Sequence, residues 1–234
     1  MSTLIIGRRC QDGVILAADR RELRGLEPNE QTKIRQINFE ASSAKSVALL
    51  AGAGVTAFWD EVAWSSEQCL SAEVEPKAKT FLDIVSVISL LATNLSARYQ
   101  RGGMDEKLGC VLAGSDNLNS GKAKLYYFAG AGFSETQFIC LGSGDAYALP
   151  LADVLLKNSD ITVEMALKFL PFIFLLVERV TVSVAGGPDI FIIKDNEQPV
   201  PVAANHIEES RIKANHLIKE LPDIINRVIA NRRS

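Results

Sequence analysis

Thr3, Asp19, Arg20 and Arg21 are the first residues of the chain whose side chains could do chemistry together. They bracket the stretch TLIIGRRCQDGVILAADRR, which reads as two short strands over 4–6 and 14–18. Between them, Asp12-Gly13 has the composition of a hairpin turn that needs positive φ. Folding that hairpin brings a hydroxyl, a carboxylate and two guanidinium groups to one edge of a small sheet. A threonine hydroxyl is a weak nucleophile until a base takes its proton. Removing Met1 and Ser2 would supply the base. Thr3 would then carry a free α-amine, with an unperturbed pKa of about 7.7–8.0, on the same residue as its hydroxyl.

These residues and their spacing resemble the β-type subunits of the proteasome, N-terminal-nucleophile hydrolases whose mature chains begin with threonine. Thr3, Gly7, Asp12-Gly13, Asp19 and Arg21 hold the family spacing, and Lys33 in TKIRQI matches the family lysine across a slightly shorter loop. The likeness continues through LLAGAG at 49–54, LGSGDAYA at 141–148 and AGGPDIFIIKD at 185–195. It implies a four-layer αββα sandwich of two antiparallel sheets flanked by helices, in the α+β class. The implied activity is that of a threonine endopeptidase within a ring particle like the 20S proteasome. Its partners would be protein or peptide substrates and other copies of itself or related subunits, with no metal or organic cofactor.

The resemblance also assigns roles. Thr3 is the nucleophile, and the Lys33 ammonium depresses the pKa of its α-amine. Asp19 holds Lys33 charged and oriented, and Arg21 completes that network. The backbone N–H of Gly52 faces the oxyanion, where glycine permits a close approach. Ser143 positions the amine or a water, and Leu50 lines a specificity pocket suited to a neutral apolar side chain. Each has a plainer reading. Asp19–Lys33 could be a salt bridge between strand ends, Gly52 part of a strand-to-helix turn, and Ser143 a helix cap. Three positions depart from the family pattern. Where peptidase members carry Asp and Ser before the Gly-Gly pair, this chain has Val182 and Ala185, and Ser2 replaces the glycine that usually precedes the threonine. These departures suggest one alternative, a catalytically incompetent ring subunit of the same fold; a second is a peptide ligase that passes the acyl group to an amine.

Composition sets broader bounds. A chain of 234 residues is long enough for one large domain, and 47% hydrophobic with 23% charged residues is an ordinary globular mixture. A net charge of −3 offers no electrostatic reason for a nucleic-acid partner. No apolar run reaches membrane-spanning length; the longest, 169–177, contains Pro171. Cys10, Cys69, Cys110 and Cys140 form no CxxC pair, so they read as reduced thiols of a cytoplasmic protein. His206 and His216 lack ligand partners at metal spacing.

The elements that must position the candidate residues come in blocks. After the first hairpin, 22–32 reads as a loop, with strands following at 34–39 and 46–51. Helices follow at 55–72 and 80–100, the second ended by Gly102-Gly103, and strands at 109–113, 124–129 and 136–141. Two more helices cover 145–157 and 162–179, the latter capped near Thr162 and kinked at Pro171, and a strand covers 190–194. Blocks of strands and helices argue against a doubly wound parallel sheet. They divide the chain into a sandwich domain over 1–202 and a helical tail over 203–234, interrupted near Pro222. The tail's apolar stripe would meet a neighbouring subunit or its own domain.

Overall fold

The computed structural model describes residues 3–24, 27–41, 44–71, 80–101, 108–115, 121–128 and 132–231. The first hairpin forms from β1 (Ile5–Cys10) and β2 (Gly13–Asp19), in antiparallel register Ile5↔Ala18 through Cys10↔Gly13. The turn residues are therefore Gln11 and Asp12, and Gly13 belongs to the strand without a positive φ. Glycine is required there for a different reason. A Cβ at Gly13 would lie well under 3.0 Å from the Ile193 carbonyl of a neighbouring strand. The segment expected as a loop contains a second hairpin, β3 (Arg21–Arg24) and β4 (Glu27–Glu30), with Leu23 opposite Pro28. A two-stranded ribbon has only edges, so a proline without an N–H is tolerated in it.

Next come β5 (Ile34–Ala41), β6 (Ala44–Ala53), α1 (Thr56–Ser71), α2 (Phe81–Arg101), β7 (Gly109–Ser115) and β8 (Ala123–Phe128). Gly102-Gly103 lies outside the described residues. The strand expected over 136–141 is β10 (Phe138–Leu141), and an unexpected short strand, β9 (Phe133–Glu135), precedes it in the other sheet. The remaining elements are α3 (Asp145–Leu156), α4 (Val163–Val180), β11 (Pro188–Lys194), β12 (Val200–Pro201) and α5 (Ala204–Asn231). Thr162 caps α4 by accepting a hydrogen bond from the Met165 N–H at 3.3 Å. The helix continues through Pro171, and α5 continues through Pro222 instead of breaking there.

Two five-stranded antiparallel sheets result, ordered β10-β1-β2-β11-β12 and β5-β6-β7-β8-β9. Side chains alternate across each strand, so one strand feeds two cores. Leu16 and Ala18 of β2 meet Leu49, Ala51, Val111 and Leu125 between the sheets. Ile15 and Ala17 point the other way, under Phe174 and Val177 of α4. On the second sheet, Leu50, Leu112 and Phe128 pack beneath Phe58, Trp59, Ile84 and Ile88 of α1 and α2. The architecture is an αββα sandwich. Its two central layers explain why GVILAA carries no charge, since every residue of β2 is buried. By length and hydropathy α2 could cross a membrane, contrary to the sequence expectation, yet its Phe81, Ile84 and Ile88 are buried against the second sheet. The tail helix α5 packs on α4, with Ile207 in the same core.

Candidate active site

Thr3 stands just before β1, and both its neighbours in space are set by backbone geometry. Asp19 is the last residue of β2, and its N–H donates to the Leu4 carbonyl at 3.0 Å. Its carboxylate turns back along the same edge: Oδ1 accepts the Leu4 N–H at 2.7 Å and the Lys33 Nζ at 2.8 Å. Lys33 is held at the entrance to β5, where the chain passes from the β3–β4 ribbon into the second sheet. The structure thus brings Asp19 and Lys33 together, nearly wholly buried, one residue along from Thr3. Burial pushes the Asp19 carboxyl above its usual range. The Lys33 charge and hydrogen bond, then the Leu4 and Arg21 backbone N–H groups, pull it back. Asp19 Oδ2 is buried without a hydrogen-bond partner among the described residues.

The opposite wall is the turn between β10 and α3. Ser143 Oγ accepts the Thr3 N–H at 3.1 Å, and the Thr3 carbonyl accepts the Gly144 N–H at 3.1 Å. That close approach needs Gly142, which has φ +105°; a Cβ there would overlap the Thr3 carbonyl. A Cβ on Gly144 would sit 2.6 Å from Val184. The GSG element therefore acts through its lack of side chains on both sides of the serine.

Other residues fall elsewhere. The Arg21 guanidinium makes no bond to Asp19, and its Nε is buried without a hydrogen bond, so this side chain does not complete the network. Gly52 sits opposite Cys110 in the β6–β7 ladder, and its missing Cβ makes room for the Trp59 indole. Leu50 faces the helices in the core beneath Phe58 and Trp59 and is not among the described residues lining the pocket at Thr3. The reason is register: Leu50 and Gly52 share the helix-facing side of β6, and Ala51 and Ala53 the inner one. Val182 is 81% exposed. The nearby Thr181 and Ser183 hydroxyls bond each other at 2.8 Å.

Thr3 opens onto a pocket of about 540 Å³ bounded by Ala53, Gly54, Leu108, Gly109, Tyr127 and the turn from Leu141 to Asp145. Sequence reasoning missed Tyr127 and Asp145 because nothing in their local patterns separates them from ordinary strand and helix-start residues. Trp59 was missed too. Its indole N–H donates to the Ala53 carbonyl at 2.8 Å and so fixes the pocket's rim. Arg211 of α5 pairs with Glu178 at 2.7 Å, and Glu178 also accepts the Gly187 N–H at 2.9 Å. Gly187 precedes β11, whose Pro188 lies opposite Asp19, so the tail helix buttresses the strand beside the site. Among the described residues no three His, Cys, Asp or Glu side chains converge as a metal ion would require.

No family model and no curated protein matches the sequence. Solved structures do match the fold. The chain superposes on Anbu, described as an ancestral β-subunit, from Yersinia bercovieri with TM-score 0.79 and 16% identity, covering 95% of this chain and 96% of that one. The αββα sandwich matches that of this Anbu structure. The helical assembly of the Anbu complex from Pseudomonas aeruginosa gives TM-score 0.74 at 19% identity, over 94% of this chain and 96% of that one. Anbu from Hyphomicrobium sp. strain MC1 gives 0.72 at 18%, over 94% and 97%. At these identities the likeness speaks for the sandwich and its connections, and the site rests on its own geometry.

Proposed function

We propose that the chain is a self-assembling proteasome-like subunit that, once Met1 and Ser2 are removed, cleaves peptide bonds with Thr3. The observation that carries this reading is the buried Lys33–Asp19 pair, whose carboxylate also holds the Leu4 N–H beside the nucleophile. A structural salt bridge has no need of a lysine buried next to a threonine that faces a pocket.

In the proposed reaction the Thr3 α-amine takes the Oγ proton as Oγ attacks the substrate carbonyl carbon. Ser143 Oγ, 3.1 Å from the Thr3 nitrogen, holds that amine in place. The Lys33 ammonium favours its neutral, basic form. Collapse of the tetrahedral adduct breaks the C–N bond, the leaving amine takes the proton, and an ester remains on Thr3 Oγ. Water, deprotonated by the same amine, then releases the acid and restores the hydroxyl.

Self-assembly is supported by the likeness to the Anbu complex, solved from Pseudomonas aeruginosa as a helical assembly. Exposed Trp64, Leu90 and Val154 on the outer helices are the kind of apolar surface an assembly covers. Intact mass of the assembled protein, with and without an electrophile that needs hydroxyl and amine on one residue, tests the reading. The wild type should begin at Thr3 and gain one inhibitor mass, and Thr3→Ala should gain none. Assembled wild type that keeps Ser2 and takes up no inhibitor would refute it. The second reading is a non-catalytic assembly subunit, favoured by exposed Val182 and the mutually satisfied Thr181 and Ser183 hydroxyls. The same refuting mass would establish it.

A further inference from the structure

The pocket beside Thr3 has an electrostatic character that its nucleophile does not require. Among its described lining residues Asp145 is the one charged side chain, and no Lys, Arg or His faces it. The other walls are Ala53, Leu108, Leu141, glycines, the Tyr127 ring and the Ser143 hydroxyl. Asp145 is half-buried, its carboxylate takes part in no hydrogen bond or ion pair among the described residues, and it does not cap α3. Tyr127, also half-buried and lining the pocket, has a hydroxyl with no hydrogen bond among the described residues.

A carboxylate in the first turn of a helix often does no more than complement the helix dipole. That explanation covers roughly half a unit charge and leaves the rest facing a concave, mostly apolar wall. Desolvating such a group upon filling the pocket is costly unless the incoming molecule supplies a donor, preferably a charged one. Apolar walls, an aromatic ring and a carboxylate with no partner among the described residues together suit an alkyl stem ending in an ammonium or guanidinium group.

We infer that this pocket is a substrate subsite that selects a cationic side chain, with Asp145 as the specificity-determining residue and Tyr127 as the ring against which the cation lies. The inference rests on the reading of Thr3 as a nucleophile and adds the charge class of its substrate. It replaces the neutral apolar preference expected from Leu50, which faces the helix core.

The test uses the assembled full-length protein and pairs of ligands that differ only in charge. Argininamide and citrullinamide are titrated calorimetrically, and a peptide containing arginine is compared in kcat/KM with its citrulline analogue. The expected result is binding of argininamide at least about tenfold tighter, as for a charge-assisted hydrogen bond in a partly buried site. Asp145→Asn should remove that difference, and Asp145→Glu should retain part of it. Equal binding of the two amides by the wild type, or an unchanged preference in Asp145→Asn, overturns the inference. Charge-selective binding without any peptide cleavage sinks the hydrolase reading and leaves the cation site standing. Cleavage of both peptides alike, without selective binding, does the reverse.

Discussion

Replacing the partners of the Asp19–Lys33 pair one at a time and together measures what the site costs the fold. Asp19→Asn is the right first change, because its side-chain oxygen can still accept the Leu4 N–H now held at 2.7 Å. Lys33→Met keeps most of the stem and removes only the ammonium. Asp19 is 0% and Lys33 7% exposed, so either single change strands a buried charge, or forces it to neutralise. Breaking such a pair costs about 3–5 kcal/mol, whereas replacing both ions is often close to neutral. At the low end, each single variant should lose about 3 kcal/mol, or about 6–12 °C in Tm for a domain of this size. The double variant should be more stable than either single one. Urea unfolding, with light scattering to hold the assembly state constant, supplies the numbers. Losses that simply add in the double variant would refute the coupling and with it the electrostatic account of the site.

The sign of the pH dependence follows from Asp19. Burial already raises its folded pKa, and Lys33→Met removes the charge that opposes this. An acid with a raised folded pKa stabilises the fold below its unfolded value, about 3.9, and that contribution is lost as pH rises through the folded value. The Lys33→Met penalty should therefore shrink as pH is lowered from 8 towards 5.

Gly142→Ala should cost at least about 1–2 kcal/mol from its positive φ. It should also slow inhibitor uptake at Thr3, whose carbonyl its Cβ would overlap; melting curves and uptake rates on one preparation check both. Trp59→Phe leaves the buried Ala53 carbonyl without its 2.8 Å donor and should cost about 1–3 kcal/mol, read as a lower urea midpoint at unchanged slope. Of the four thiols only exposed Cys69 should react with a disulfide reagent at pH 8. Burial pushes Cys10 and Cys140 up to about 12 and Cys110 well above its ordinary value. Full modification of the native protein at the rate of the denatured one would contradict that burial.

Much of the sandwich was legible because its signals are local. A charge-free apolar run must be buried on both faces, as 48–51 of β6 are, and apolar residues at helical spacing placed α2 to within a residue at each end. Thr3 and Asp19 stood out as the polar ends of an apolar hairpin, and Lys33 and Ser143 through the resemblance to proteasome β-type subunits. Other features depended on contacts between distant segments. Gly13 looked like a turn residue, but the Ile193 carbonyl of β11 dictates its lack of a side chain. Leu50 looked like a pocket residue until the pairing of β6 with β5 and β7 fixed which face it shares. A shift of one residue would have turned it inward, and no local pattern distinguishes the two registers. The same holds for Asp145, Tyr127 and Trp59, which come from three separate elements and share a site only because two sheets and a helix meet at the edge where Thr3 lies. Sequence by itself determined which groups were available for chemistry. Tertiary packing decided which of them face one another, since that depends on sheet register and on the approach of backbones far apart along the chain.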